Sequence, residues 1–193
     1  MAIIHRTATV TPTKRDLVAA WLDGQPWGAD GPVEVLGSYR FDDPAGEVGV
    51  EAILVRRGDR LLQVPMTYRS APLAGGETHL VGTMQHSVLG KRWIYDAVGD
   101  PVSVGCFVRA VRGEQEQAEM ELWDRDTLLG RRDSAVRLRP EPTQPGPAAT
   151  DVAVVEADGM ELRVARLIGP ELNGTRQLVV EWPSGRGAVA ALA

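Results

Sequence analysis

Arg92, Trp93, Tyr95 and Asp96, in the stretch RWIYD, are the one cluster of residues whose types and spacing suit ligand chemistry. In an extended chain, residues two apart point the same way, so the indole of Trp93 and the phenol of Tyr95 share a side. A pyranose ring can lay its C–H face on such aromatics. The guanidinium of Arg92 and the carboxylate of Asp96 would add a donor fork and an acceptor. The segment therefore has two readings: a sugar-binding surface, or an aromatic anchor that holds the entry to a following helix in the core. Trp27, after Gln25-Pro26, divides in the same way between an exposed loop residue and a plug at the end of a sheet.

The other chemistry-bearing residues point to structure. His5, His79 and His86 lack metal-ligand spacing, and in one regular strand His79 and His86 would face opposite ways. Asp42 and Asp43 precede Pro44-Ala45-Gly46 and read as turn formers. Glu119 and Glu121 share the polar face of an alternating run and read as a solvated pair. A general acid needs a carboxyl raised by burial, and no acidic residue has an apolar sequence context of that kind. Cys106 sits within the apolar stripe of a helix, away from the N-terminal end where a thiolate is stabilised. Gly185-Arg186-Gly187-Ala188-Val189-Ala190 fits G-x-G-x-x-A, but the helix and acidic residue of dinucleotide binding do not follow, so it reads as a hairpin loop. No catalytic set, metal site or cofactor site is expected.

Composition sets the frame for these residues. The chain has 193 residues, 44% hydrophobic and 24% charged, with a formal charge of -5. Those are ordinary globular values, and the acidic balance argues against nucleic acid as a partner. Twenty-one Gly and 13 Pro favour strands and turns over a helical bundle. No stretch approaches the roughly 18 apolar residues of a membrane helix. The N-terminus, MAIIHRTATV, lacks secretory signal features, so the expected compartment is the cytoplasm.

Two helices stand out. Thr13 is a predicted N-cap with Asp16 as its partner, and Leu17, Val18, Trp21 and Leu22 form one apolar stripe ended by Gly24. Asp100-Pro101 opens the second, with Val104, Phe107, Val108 and Val111 on one face and Gly113 as the stop. Strands are predicted over 3–10, 33–41, 47–57 (covered on both sides over part of its length), 61 onward, 79–88, 115–123 and 135–138. Pro65 removes a ladder donor and points to an edge or a bulge. Residues 141–150, EPTQPGPAAT, read as a Pro-rich linker. Two hairpins follow, one turning at Asp158-Gly159 and one at 183–187.

VPMTYRSAPL, GTMQHSVLG and RWIYDAVGDP, in that order, resemble the N-terminal cap segment of bacterial maltokinases. They are more similar still to small free-standing proteins that carry the cap without a kinase, sometimes labelled alpha-glucan branching proteins. The resemblance spans residues 1–112. It implies an α+β fold, cap-like and cystatin-like, with a curved antiparallel sheet and two helices, followed by additional antiparallel strands. Residues 113–193 lie outside the resemblance, and their alternating runs and hairpin turns read as a β-rich extension packing on the cap. A maltokinase carries its chemistry on lobes after the cap. This chain has no phosphate-binding GxxxxGK[ST] motif, no metal-binding Asp motif, and only Lys14 and Lys91 as lysines. The implied function is a non-catalytic module of α-glucan, maltose or amino-sugar metabolism, associating with a sugar kinase, another carbohydrate enzyme, or itself. The other reading is a small sugar-binding protein or enzyme of that pathway using Trp93–Asp96.

Overall fold

The computed structural model describes residues 2–124, 127–143, 151–169 and 172–193, with residues 2–5 by their backbone. In chain order the elements are β1 (Ala2–His5), β2 (Val10–Thr11), α1 (Lys14–Asp23), β3 (Glu34–Phe41), β4 (Gly49–Arg57), β5 (Arg60–Arg69), β6 (Leu80–His86), β7 (Gly90–Asp96) and α2 (Pro101–Arg112). They continue with β8 (Met120–Asp124), β9 (Thr127–Arg132), β10 (Arg137–Pro142), β11 (Val152–Ala157), β12 (Met160–Ala165), β13 (Arg176–Trp182) and β14 (Gly185–Leu192). The fold is α+β and mostly antiparallel. Among the described residues three sheets form: β2-β6-β7-β5-β4-β3, curled as a half-barrel, β10-β13-β14-β12-β11, and β1-β8-β9. The pairing of β1 with β8 is parallel.

Both α-helices begin and end where local chemistry dictates. The Thr13 hydroxyl accepts from the Asp16 N–H and donates to the Asp16 carboxylate, a reciprocal cap. Asp100 caps α2 through the Val102 N–H, Pro101 occupies the first helical position, and Gly113 closes the helix in the left-handed region that favours glycine.

The period of two in β4 explains how the halves are built. Val50, Ala52 and Leu54 face the α2 side, where they join Tyr39, Phe41, Phe107, Val108 and Val111. The Phe41 and Phe107 rings meet edge to face at 5.3 Å. The same core continues into the second sheet through Leu162, Val164, Leu178, Val180 and Leu192. Ile53 and Val55 face the other way and pack with Val64, Met66, Met84 and Ile94 under Leu17, Val18 and Leu22 of α1. Burying several such side chains, each worth about 1.5–3 kcal/mol, on both faces makes the β4–β5 pair the spine of the molecule.

Several sequence expectations are corrected. The first strand is split: β1 joins the small sheet and β2 the large one. Residues 77–79 form a 3-10 turn, so β6 starts at Leu80 and ends at His86. Residues 115–119 cross the edge of β3, with the Ala118 N–H donating to the Arg40 carbonyl, and extended pairing begins only at Met120. The strand expected at 135–138 is shifted to β10. Glu141 and Pro142 of the expected linker end β10, while residues 144–150 lie outside the described residues. The second hairpin turns at 183–184, and its glycines already belong to β14. Gly187 is needed there, because a Cβ would lie 2.6 Å from the Ile168 side chain and 3.0 Å from the Gly169 nitrogen.

Pro65 lies in a central strand, paired with Ala52 of β4. It is tolerated because β5 changes partners there. The Gln63 N–H donates to the Arg166 carbonyl and the Ile168 N–H to the Leu61 carbonyl, whereas pairing with β7 starts at Met66. The missing donor falls between the two partners.

Gln63 fixes that junction. Its side chain is fully buried; Nε2 donates to the Ala165 and Val189 carbonyls at 3.0 Å each, and Oε1 accepts from the Tyr39 hydroxyl. Gln63→Leu keeps the volume but strands two carbonyls and a hydroxyl in the core. At about 1–3 kcal/mol per stranded group, the variant is expected to lose at least about 3 kcal/mol in urea unfolding. A loss below about 1 kcal/mol would contradict this role.

Candidate functional site

The strand parity of β7 divides the four residues singled out in the sequence. Ile94 packs on the α1 side, so Arg92 and Asp96 share that face and Trp93 and Tyr95 take the other. Tyr95 is buried, and its hydroxyl accepts from the Leu73 N–H at 2.8 Å. Trp93 is half-buried with the Lys91 ammonium 4.8 Å from its ring centroid. The four side chains therefore do not converge on one ligand.

Asp96 is held by a residue far along the chain. Both of its oxygens accept from the Arg166 guanidinium, at 2.9 and 2.5 Å. Arg166 is itself buried, with its Cζ 5.7 Å from the Trp21 ring centroid and 5.1 Å from that of Trp27. The two indoles meet edge to face at 5.4 Å. Trp27 thus packs as a plug. This cluster pins the segment after β12 to α1 and the end of β7, a second tie between the two halves. Isolated charge is costly in such a place, and the bidentate pair with flanking aromatic faces offsets that cost.

A second buried carboxylate lies on the α1 face of β4. Glu51 is 5% exposed. It accepts from Lys14 Nζ at 2.5 Å, Arg40 Nη2 at 3.2 Å and Ser38 Oγ at 3.1 Å. Burial pushes the carboxyl upward, but the Lys14 ammonium and Arg40 guanidinium outweigh that and hold Glu51 down at about 2. Beside it lies a recess of about 210 Å³ walled by Arg15, Val18 and Val35. A carboxylate so firmly ionised is a poor proton donor near neutrality, so the cluster suits charge neutralisation better than acid–base work. Asp100 is similar: burial raises its carboxyl, while bidentate bonds from Arg69 at 2.7 Å, with help from Thr67 and the Val102 N–H, bring it below the ordinary value.

The remaining sequence candidates take structural roles. His86 Nδ1 accepts from the Val88 and Leu89 N–H groups, and His79 lies against Gly99. The His5 side chain is outside the described residues. Asp43 accepts from the Ala45, Glu47 and Val48 N–H groups, which makes it the turn former its position suggested. Cys106 is buried, and burial raises its thiol. Among the described residues no group of three His, Cys, Asp or Glu could hold a metal ion, and no helix is long and apolar enough to cross a membrane. Sequence reasoning passed over Gln63, Glu51 and Arg166. Each is a lone polar residue in an apolar run, and that interruption is the signal that could have found them.

The fold and these contacts define an α+β module whose best-built polar groups serve cohesion. Residues 21–100 match the model of the maltokinase N-terminal cap domain. The match begins inside α1 at Trp21 and ends at Asp100, the cap of α2, so the chain carries a cap-like domain of that kind. No curated protein matches the chain.

The Glu51 cluster gives a pH prediction. Its folded pKa of about 2 lies below the ordinary 4.5. Its stabilisation is therefore complete above about pH 4.5 and lost as pH falls toward 2, on the order of 3 kcal/mol. Urea unfolding across that window should fall more steeply for the native protein than for Glu51→Gln. Parallel curves for the two would contradict the assignment.

Proposed function

We propose that the protein is a non-catalytic cap-like module of α-glucan, maltose or amino-sugar metabolism that works by association with a carbohydrate-metabolising enzyme, such as a sugar kinase, or with itself. Residues 1–112 form the cap-like unit, and 113–193 form a β-rich extension that closes on it. The cytoplasm is its compartment.

One observation carries this reading. The side of the cap sheet that packs on α2 continues into a core shared with the five-stranded sheet of the same chain, through Leu162, Val164, Leu178 and Val180. In a maltokinase, catalytic lobes follow the cap; here a small all-strand layer does. The polar groups with the firmest geometry, at Gln63, Asp96 and Glu51, are spent on holding layers together. Such a body offers shape and apolar surface to a neighbour. Val88 and Leu89 at the β6–β7 turn are 55% and 48% exposed, and Leu80 at the start of β6 is 44% exposed.

The test pairs an assay with a capture. The purified chain is expected to transfer no phosphate from ATP–Mg²⁺ to maltose or glucosamine, and a tagged copy should retain a carbohydrate-metabolising enzyme from its own lysate. Replacing Val88 and Leu89 with serine should weaken that retention while leaving the melting temperature in place. Sugar-dependent turnover of ATP by the purified chain would contradict the proposal.

A further inference from the structure

An open cleft of about 590 Å³ lies at the C-terminal end of α2. Its walls are the crossing segment 115–120, the end of β9 and the start of β10. The volume falls within the roughly 300–1,000 Å³ of small-molecule clefts. Its shape is set in advance by two glutamines. Gln117 Nε2 donates to the Val136 carbonyl at 2.9 Å while its Oε1 accepts from the Leu138 N–H at 2.7 Å. Gln115 Oε1 accepts from Arg109, and its Nε2 donates to the Asp42 carbonyl, each at 2.8 Å. Both walls are thereby tied to their neighbours before any ligand enters.

The cleft is lined by four arginines and three carboxylates, and Glu181, outside the lining, pairs with the fourth arginine. Arg131 is paired with Glu119 at 2.8 Å and Arg139 with Glu181 at 3.5 Å. Arg132, Arg137, Glu116 and Asp133 are exposed and have no ion-pair partner among the described residues. Two unpaired cations and two unpaired anions in one lining do not select a net charge. They provide planar forks of donors and acceptors, the groups that match vicinal hydroxyls. Of the apolar lining residues, Leu138 is half-buried, while Ala118 and Leu178 are buried.

We infer that this cleft takes a neutral polyhydroxylated ligand, a short oligosaccharide. Arg132 and Arg137 donate to its oxygens, Glu116 and Asp133 accept from its hydroxyls, and a C–H face rests on Leu138. The choice of sugar among neutral polyols rests on the carbohydrate setting proposed above. The site is distinct from the Trp93–Asp96 segment.

The experiment titrates the full chain with maltotriose, inorganic phosphate and free glycine, followed by amide chemical shifts. Maltotriose is expected to shift residues 115–120 and 131–139, with little effect of added salt. Arg137→Ala and Glu116→Gln are each expected to weaken binding about tenfold, the loss of one hydrogen bond to a charged group, while the melting temperature holds because both side chains are exposed. Absence of maltotriose binding, binding indifferent to both substitutions, or salt-sensitive binding of phosphate or glycine in its place would overturn the inference. Those outcomes leave the association proposal standing, whereas sugar-dependent ATP turnover would end that proposal and leave the cleft intact.

Discussion

The structure depends on the buried amide of Gln63. One side chain on β5 reaches three other strand regions: Tyr39 of β3, Ala165 at the end of β12 and Val189 of β14. Primary amides suit this task because they carry two donors and two acceptor sites in one plane without bringing a charge into the core. Around it, the backbone of β5 bonds to residues 166 and 168, and Arg166 reaches across to Asp96. The two sheets are thus joined by directional bonds as well as by apolar contact. Apolar burial alone would fix their proximity and leave their register free.

That junction also explains local features that look irregular in isolation. β5 must serve two partners on one side, residues 166–168 first and β7 afterwards, and a proline at the changeover leaves no donor unpaired. Arg166 must lie near Asp96 for the same reason. The indoles of Trp21 and Trp27 close over its guanidinium. Residues that a ligand-centred reading would assign to recognition are engaged in cohesion.

Local signals in the sequence were enough for the helices, the turns and the α+β class. Thr13, Asp100-Pro101 and Gly113 act through neighbours a few residues away, and so do Asp43 and Asp158-Gly159. Even the double burial of β4 was visible, because both parities of its residues are apolar over Ile53–Val55. The partner of β1, the path of 115–119 and the place of Pro65 were not, since each depends on which distant segment lies alongside. The same limit applied to the site. Parity put Trp93 and Tyr95 on one side, but nothing local could reveal that Asp96 belongs to Arg166, 70 residues onward. The cleft likewise draws on separate stretches that only the fold brings together.

The central claim is that the cap-like sheet and the C-terminal sheet are one cooperative body locked at Gln63. Native-state hydrogen exchange tests it most directly, because it reports the opening free energy of each element separately. The amides of Leu54 and Val64 in the first sheet and of Val180 and Ala190 in the second should open with the same free energy, equal to that of global unfolding. If the second sheet exchanges through a cheaper opening while the first stays protected, the two are independent units and the account fails.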